Sequence, residues 1–288
     1  MEIQGNVMAQ CMQSLADRVP QGNRETYEKD GELFCKVCDR RKTVKIENPF
    51  THKIETKPCA CKCDMKETEE FEERQRREEE QRRLDQLIKS SMLGERYKGI
   101  AFRDTETGFN DVFDKTLLRC QRYTQISSEA LKNGYGIYLF GNSGSGKTHL
   151  TACMANELIK QHKQVLFTNF FEISSAIRNT FKKSETEEGL IDRIANVDFL
   201  FLDDIGTERV VKGGEDMWLQ EKIYEVINKR YNEKKPTIFT SNYSLQELVE
   251  DRGLMQKTVD RILEMSTVIL KLEGPSYRMR QRKSQLPF

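Results

Sequence analysis

Short apolar runs alternate with helical periodicity from about residue 102 onward. The apolar runs are residues 135–140, 164–168, 197–202, 236–240 and 267–272, and the helical stretches are residues 149–162, 171–182 and 216–232. Brief runs rich in β-branched and aromatic residues, alternating with helices, are typical of a parallel sheet that is covered on both faces. The pattern therefore predicts an α/β domain over residues 99–288.

A different pattern fills the start of the chain. Residues 43–46 and 53–56 are predicted to form two short strands around a turn, and a short helix is predicted near residues 7–19. Two cysteines precede the predicted hairpin and three follow it. This arrangement predicts a small separate domain over residues 1–64.

The clustered cysteines have the spacing of a zinc ribbon. They are Cys35, Cys38, Cys59, Cys61 and Cys63. Thiolates on two tight turns can close a tetrahedron around Zn²⁺, and the metal supplies folding energy that so small a core lacks. The five cysteines compete with His52 for four ligand positions, and the sequence leaves the spare residues open.

The segment between the two domains is highly charged. Residues 65–89 contain nine acidic and seven basic residues, and five acid–base pairs stand four residues apart: Glu70/Arg74, Glu72/Arg76, Glu73/Arg77, Glu78/Arg82 and Glu79/Arg83. Such pairs favour a helix, while the apolar residues are too sparse for a coiled-coil seam. A single solvated helix is therefore predicted in a linker over residues 65–98. Acidic residues outnumber basic ones, which argues against nucleic-acid binding by this segment.

Overall composition excludes some classes of protein. The formal net charge of +1 over 288 residues gives no global attraction to nucleic acid or membranes. No apolar run approaches the ~20 residues that a membrane-spanning helix needs. The first residues lack a basic region followed by an apolar core, so no secretory signal is predicted. We therefore expect a cytoplasmic protein without membrane contact, in which clustered thiols are reduced and hold metal.

One contiguous motif carries the strongest chemical signal. The motif consists of Gly141, Asn142, Ser143, Gly144, Ser145, Gly146, Lys147 and Thr148, and His149 follows it. This is a complete match to the phosphate-binding loop G-x-x-x-x-G-K-[ST], between a predicted strand and a predicted helix. Backbone N–H groups of the loop cradle phosphates, the lysine reaches the β- and γ-phosphate oxygens, and the threonine hydroxyl can bind Mg²⁺. The motif predicts binding of a nucleoside triphosphate with Mg²⁺.

Polar residues at the ends of two later strands complete a candidate hydrolytic site. Asp203 and Asp204 end an apolar run, and ligands in parallel sheets gather at the carboxyl ends of the strands. Asp203 is suited to hold Mg²⁺, and Asp204 is placed to polarise the attacking water. Asn242 ends the next run, where its amide could orient that water or contact the γ-phosphate. Arg261 and Arg278 are candidates for contacting the phosphates, because arginine keeps its charge and binds phosphate through two hydrogen bonds.

The ordered motifs resemble the DnaC/DnaI/IstB branch of the AAA+ ATPases. The resemblance rests on the phosphate loop with its following histidine, Phe-Leu-Asp-Asp-Ile-Gly-Thr-Glu at 201–208, Thr-Ser-Asn at 240–242, Asp-Arg-Ile at 260–262 and Ser-Tyr-Arg at 276–278. It covers residues 100–280 through these motifs and residues 31–63 through cysteine layout only. Within that branch the chain looks like a bacterial or phage helicase loader with an N-terminal zinc module.

This resemblance implies roles for particular residues. Asn242 would be sensor I, Arg261 the arginine finger that reaches a neighbouring subunit, and Arg278 sensor II. Asp204 stands where most AAA+ enzymes have glutamate, so both Asp204 and Glu208 are candidates for activating water. The implied activity is ATP hydrolysis coupled to placing a hexameric replicative helicase on single-stranded DNA. The N-terminal module would contact the helicase, and the ATPase modules would assemble side by side.

Three other functions are compatible with parts of the sequence. A transposition-helper ATPase of the IstB type would share the core but work with a transposase. A small-molecule P-loop kinase or nucleotide switch is disfavoured, because the asparagine and two arginines together are typical of a site shared between subunits. A zinc-containing adaptor with a silent ATPase would be distinguished by measured turnover. The basic tail, Arg278, Arg280, Arg282 and Lys283, is a candidate contact for single-stranded DNA.

Overall fold

The computed structural model describes residues 26–48, 52–180, 186–207 and 215–277. Its internal contacts divide the chain into two compact units, with the division between Arg82 and Arg83. The domain boundaries expected at residues 64 and 98 stay predictions, and the helix predicted near residues 7–19 lies outside the described residues. Within the described ranges, no helix is long and apolar enough to cross a membrane.

Two antiparallel hairpins form the strands in the described part of the first unit. They consist of β1 (Thr26–Lys29) with β2 (Glu32–Cys35), and β3 (Thr43–Glu47) with β4 (Ile54–Pro58). The second hairpin confirms the predicted pair of strands. The first was not predicted, although Asp30-Gly31 is a strong signal for a two-residue hairpin turn. Both turn residues have the positive φ that such a turn requires, 54° at Asp30 and 74° at Gly31.

A single long helix, α1 (Lys62–Ser90), contains the charged segment and confirms the predicted helix. No residue along its described length is buried. The predicted pairs Glu73–Arg77 and Glu78–Arg82 both form, the second at 4.0 Å. Exposed pairs of this kind contribute only about 0.3–0.5 kcal/mol each. The middle of the helix is therefore stabilised by local charge pairs and intrinsic helix propensity rather than by packing.

The second unit is built on a five-stranded sheet. Its strands are β5 (Gly136–Phe140), β6 (Val165–Thr168), β7 (Phe199–Ile205), β8 (Thr237–Ser241) and β9 (Ser266–Lys271). Across the sheet the order is β6-β7-β8-β5-β9, and every pairing is parallel. Each strand overlaps one of the predicted apolar runs, so the predicted parallel α/β fold is confirmed. All the carboxyl ends therefore lie at one edge of the sheet.

Helices connect and cover the strands. They are α2 (Asp111–Gln125), α3 (Ser127–Asn133), α4 (Lys147–Lys160), α5 (Phe170–Thr180), α6 (Glu187–Asn196), α7 (Glu215–Asn232), α8 (Leu245–Glu250) and α9 (Gln256–Met265). Helices α4, α5 and α7 confirm the three predicted helical stretches. Helices α2, α3, α6 and α8 were not predicted individually. Short 3₁₀ turns occur at Glu95–Tyr97 and Phe102–Asp104.

Successive residues of a strand pack into different cores. In β7, Phe199 and Phe201 belong to the core that includes α2 and α4, whereas Leu200 and Leu202 belong to the core that includes α5, α6 and α7. This alternation follows from the two-residue period of a strand. Because both faces are buried, the strands are apolar throughout rather than alternating, as the sequence pattern showed.

A completely buried arginine joins two strands at the amino edge of the sheet. Arg230, near the end of α7, is 0% exposed. Its guanidinium donates to the carbonyl oxygens of Ala195, Val197, Asp198 and Pro236 and to Thr237 Oγ1, at 2.6–3.3 Å. These acceptors lie before β7 and at the start of β8. Burial lowers the pKa of Arg230 to about 9, so the group remains charged at neutral pH.

Candidate nucleotide site and cysteine cluster

The phosphate loop joins the carboxyl end of β5 to the first turn of α4. Gly141, Gly144 and Gly146 all have positive φ, at 143°, 79° and 100°. A Cβ on Gly144 would lie 2.2 Å from Ser276 Oγ, and one on Gly146 would lie 2.7 Å from Phe113 Cε2. Only glycine permits this close backbone path. The start of α4 adds the positive end of its helix dipole, which makes the loop suitable for binding phosphate.

The ammonium of Lys147 lies against the loop. It donates to the carbonyl oxygens of Gly141 (2.8 Å) and Asn142 (2.9 Å), and to Oδ1 of Asn242 (2.9 Å). The backbone N–H of Ser145 also donates to the Asn142 carbonyl, at 3.2 Å. Lys147 therefore connects the loop at the end of β5 to the predicted sensor asparagine at the end of β8.

Two neighbouring carboxylates face the loop from β7. Thr148 Oγ1 lies 3.1 Å from both carboxylate oxygens of Asp203, and Thr240 Oγ1 donates to Asp203 Oδ1 at 2.6 Å. Burial raises the pKa of Asp203, and the hydrogen bonds from Thr240 and Thr148 oppose that rise. Asn242 Nδ2 donates to Asp204 Oδ1 at 2.8 Å. Thr148 and Asp203 thus offer adjacent hard oxygen atoms of the kind that Mg²⁺ prefers.

A cavity of about 290 Å³ opens beside these groups. The loop, Asp204 and Asn242 line one side, and residues from segment 96–106 line another. Asn156 in α4 holds part of that segment, because its Nδ2 donates to the carbonyl oxygens of Tyr97 (2.7 Å) and Ile100 (3.2 Å). Its Oδ1 also accepts from the Gly99 N–H at 3.1 Å. Sequence reasoning missed this wall of the cavity, which has no recognisable motif.

His149 lines the same cavity. Its Nε2 is 2.9 Å from Thr105 Oγ1, in the segment that Asn156 holds. Burial and the charge of Arg96 lower the pKa of His149, which favours the neutral imidazole. The residue after the phosphate-loop motif therefore contacts the far wall of the cavity.

Among the described residues, one predicted site residue, Arg261, lies away from this group. Arg261 does not line the cavity: its guanidinium donates to Glu264 Oε2 (2.6 Å) and Asn228 Oδ1 (3.3 Å), and lies 4.2 Å over the ring of Tyr231. Glu208 and Arg278 lie outside the described residues. The structure thus brings together the loop, Asp203, Asp204 and Asn242, and not Arg261.

Four thiols converge in the first unit. The Sγ atoms of Cys35, Cys38, Cys61 and Cys63 all lie within 4.8 Å of one another. Tetrahedral zinc with Zn–S bonds of ~2.3 Å has sulfurs about 3.8 Å apart, so small adjustments fit the cluster to one Zn²⁺. The thiol of Cys59 instead donates to the Arg41 carbonyl at 3.4 Å.

Other contacts support this assignment of ligands. The imidazole Nδ1 of His52 is 2.9 Å from Glu47 Oε1, and this residue is not part of the thiol cluster. Backbone N–H groups at Cys38 and Val37 lower the pKa of Cys35 to about 7, which favours the thiolate form that binds metal. Asp64 accepts from the Cys61 N–H at 3.0 Å and from Lys42 Nζ at 2.9 Å, so it braces the second knuckle.

The arrangement of the sheet and the site defines the class of the second unit. The phosphate loop follows β5, and the acidic pair lies near the end of β7. Strand β8 lies between those two strands and is followed directly by Asn242. This is a domain of the AAA+ class of P-loop ATPases. More particularly, the chain belongs to the IstB-like ATP binding protein family, whose sequence profile matches residues 63–285.

Comparison with individual proteins agrees with this family. The chain is 32% identical over 141 residues to the replicative helicase loader DnaC of Escherichia coli (strain K12), covering 49% of this chain and 55% of that protein. It is 30% identical over 210 residues to the phage-like element PBSX protein XkdC of Bacillus subtilis (strain 168), covering 70% of this chain and 75% of that protein. A crystal structure of DnaI is similar with a TM-score of 0.53 and 28% identity, covering 67% of this chain and 98% of that one. The chain spans about half the length of the Escherichia coli relative.

Proposed function

We propose that this protein is an ATP-dependent loader of a replicative DNA helicase. The observation that carries the proposal is the site at the carboxyl edge of the sheet. There Lys147, Thr148, Asp203, Asp204 and Asn242 are joined, through the hydroxyl of Thr240, in one hydrogen-bonded network. That network has the parts needed for hydrolysis of a nucleoside triphosphate. The relative from Escherichia coli is named a replicative helicase loader, and this name supports the particular use of the hydrolysis.

Each residue of the network has a chemical task in this proposal. The loop N–H groups and Lys147 bind the β- and γ-phosphates, and Thr148 and Asp203 would hold Mg²⁺. When bound, that ion neutralises charge on the phosphate oxygens. Asp204 orients a water molecule and accepts its proton as the water oxygen bonds to the γ-phosphorus and the bond to the β-phosphate oxygen breaks. Glu208 remains a second candidate for this role.

Asn242 can report whether the γ-phosphate is bound. Its Oδ1 accepts from Lys147 and its Nδ2 donates to Asp204. A γ-phosphate that attracts Lys147 competes with Asn242 for the ammonium, and the amide is then free to contact the phosphate. Nucleotide binding is thereby coupled to the position of Asp204.

We further propose that the active site is completed by Arg261 from a neighbouring copy of the chain. Arg261 lies away from the cavity of its own chain, in α9, with its guanidinium partly exposed. An arginine supplied in trans can increase turnover by ~10³–10⁵. Arg278 is the candidate for sensor II from the same chain. Self-association through the second unit follows from this proposal.

The first unit is proposed to hold one structural Zn²⁺ and to contact the helicase. Thiols of Cys35, Cys38, Cys61 and Cys63 are the proposed ligands. Single-stranded DNA is the second proposed partner, through the basic residues after Pro275. Binding there should weaken steeply with salt, because it depends on counterion release. These partners imply action in the cytoplasm, where bacterial chromosomes replicate.

Co-purification with the hexameric helicase of the host tests the proposal directly. The full-length protein should retain that helicase and release or load it in an ATP-dependent way, and Lys147→Ala should lose the ATP dependence. Arg119→Ala, a change at an exposed arginine of α2, is the matched control and should behave as wild type. Retention of a transposase instead of the helicase would favour a transposition helper, and binding to neither would contradict both.

A further inference from the structure

The two neighbouring aspartates of the nucleotide site lie in a β-bulge. Along the pairing of β7 with β8, Leu202 lies opposite Phe239 and Ile205 lies opposite Ser241. Three steps along β7 thus match two steps along β8. The aspartates between Leu202 and Ile205 therefore share one opposite residue, Thr240.

The bulge changes which way the aspartates point. In a regular strand, successive side chains point to opposite faces of the sheet. Here Asp203 contacts Thr148 and Asp204 contacts Asn242, so both carboxylates reach residues of the nucleotide site. Asp204 has a φ of 57°, in the left-handed region that an ordinary strand residue does not adopt. Two adjacent acids can serve one site only because the strand is interrupted here.

The hydroxyl of Thr240 bonds to both halves of the bulge. It accepts the backbone N–H of Asp204 at 2.8 Å and donates to Asp203 Oδ1 at 2.6 Å. A bulge leaves backbone groups out of the ladder, and a buried N–H without an acceptor is costly. Thr240 is 2% exposed, so water is a poor substitute for its hydroxyl. One side-chain oxygen therefore holds the backbone of one aspartate and the carboxylate of the other.

We propose that Thr240 is a positioning residue for ATP hydrolysis, whose hydroxyl holds Asp203 and Asp204 together facing the nucleotide. This inference rests on the proposed function and adds a residue to its site. Thr240 acts through the two aspartates, since its hydroxyl is occupied by them. Its effect should therefore appear in the Mg²⁺-dependent part of nucleotide binding and in turnover, and not in the contacts of the phosphate loop.

The test uses the full chain and replaces the hydroxyl with a methyl group, in Thr240→Val. Binding of a fluorescent ATP analogue is titrated in EDTA and again in Mg²⁺, and kcat and KM for ATP are measured separately. In EDTA the affinity should stay within about twofold of wild type, because the loop and Lys147 are intact. The gain in affinity that Mg²⁺ gives should be largely lost, and kcat should fall roughly 10- to 100-fold with a smaller change in KM.

Two further variants separate the hydroxyl from the size of the side chain. Thr240→Ser keeps the hydroxyl and should restore the Mg²⁺ effect and most of kcat. Thr258→Val in α9 makes the same chemical change at a buried threonine whose hydroxyl has no hydrogen-bond partner among the described residues. It should match wild type in every measurement. If Thr240→Val does not bind ATP in EDTA, Thr240→Ala replaces it, since alanine adds no atom in place of the hydroxyl.

The outcomes distinguish this inference from the proposed function. Wild-type protein that binds ATP but never hydrolyses it would contradict the proposed function, and the Mg²⁺ titrations would still decide the role of Thr240. The inference is overturned if Thr240→Val keeps both the Mg²⁺ effect and kcat. It is also overturned if Thr240→Ser is as impaired as Thr240→Val, because the side chain would then act through its shape.

Discussion

Replacing Arg230 with methionine tests how the amino edge of the sheet is held, opposite the nucleotide site. The side chain is completely buried, and its guanidinium donates to four carbonyl oxygens and one hydroxyl. Methionine replaces part of the apolar stem but has no donor. The five acceptors would therefore lose the hydrogen bond from this guanidinium in a place that water reaches poorly.

The expected loss of stability follows from two opposing effects. A buried acceptor left without a donor costs about 2–3 kcal/mol. The Pro236 carbonyl keeps the backbone N–H of Leu200 at 3.4 Å, so the other four acceptors together cost roughly 10 kcal/mol. Removing the charge relieves the cost of burying it. Burial lowers the pKa of Arg230 to about 9. This is roughly 3.5 pH units below the value of a solvated arginine, which at about 1.4 kcal/mol per pH unit corresponds to about 5 kcal/mol. The free energy of unfolding of the second unit should therefore fall by about 5 kcal/mol. This loss is close to the ~3–5 kcal/mol expected when one partner of a buried charged contact is removed.

The single tryptophan of the chain makes this change measurable in one unit. Trp218 lies in α7 and is half-buried against the core of the second unit. Its fluorescence during urea unfolding reports on that unit, and the Tm should fall by about 10–20 °C. Arg230→Lys is the control: it keeps the charge but has fewer donors, so its loss should be intermediate.

A loss below about 1 kcal/mol for Arg230→Met would refute this reasoning, because it would mean that the acceptors find other donors. Affinity for ATP should stay close to wild type wherever the variant is folded. A large loss of affinity in the folded variant would show that the amino edge of the sheet is coupled to the site.

Three further predictions concern the metal, the shared site and the cavity. Cys38→Ser should remove about one zinc per chain by metal analysis, while Cys59→Ser should keep it; equal loss from both would contradict the proposed ligand set. Arg261→Ala and Lys147→Ala should each be nearly inactive as ATPases. If the active site is shared between subunits, mixing the two variants should restore part of the ATPase rate. Mixed oligomers that stay inactive would argue against an arginine finger in trans. Asn156→Ala should weaken ATP binding by roughly tenfold, because segment 97–100 loses three hydrogen bonds. The affinity is measured by calorimetry, and an unchanged value would exclude that segment from nucleotide binding.

Much of the second unit could be predicted because its signals are local. The five apolar runs are short and continuous, since both faces of a parallel sheet are buried, and each coincides with a strand. Helices α2 and α6 were missed as individual elements although both are amphipathic and begin after an N-cap residue, so a usable local signal was present. In the first unit, the dipeptide Asp30-Gly31 predicts a hairpin turn between β1 and β2. This turn was missed because the cysteine spacing dominated the interpretation of that region.

By itself the sequence determined the phosphate loop, since eight contiguous residues carry its geometry and chemistry. The sequence also determined the parallel α/β fold. Only the tertiary structure decided the contacts between distant segments. It showed that Cys59 lies apart from the four converging thiols, that Asn156 holds the wall of the cavity, and that Thr240 meets both aspartates at a bulge. The physical reason is that a hydrogen bond or a metal site depends on distances of a few ångströms. Such distances between distant residues are set by strand register and packing, which no local pattern records.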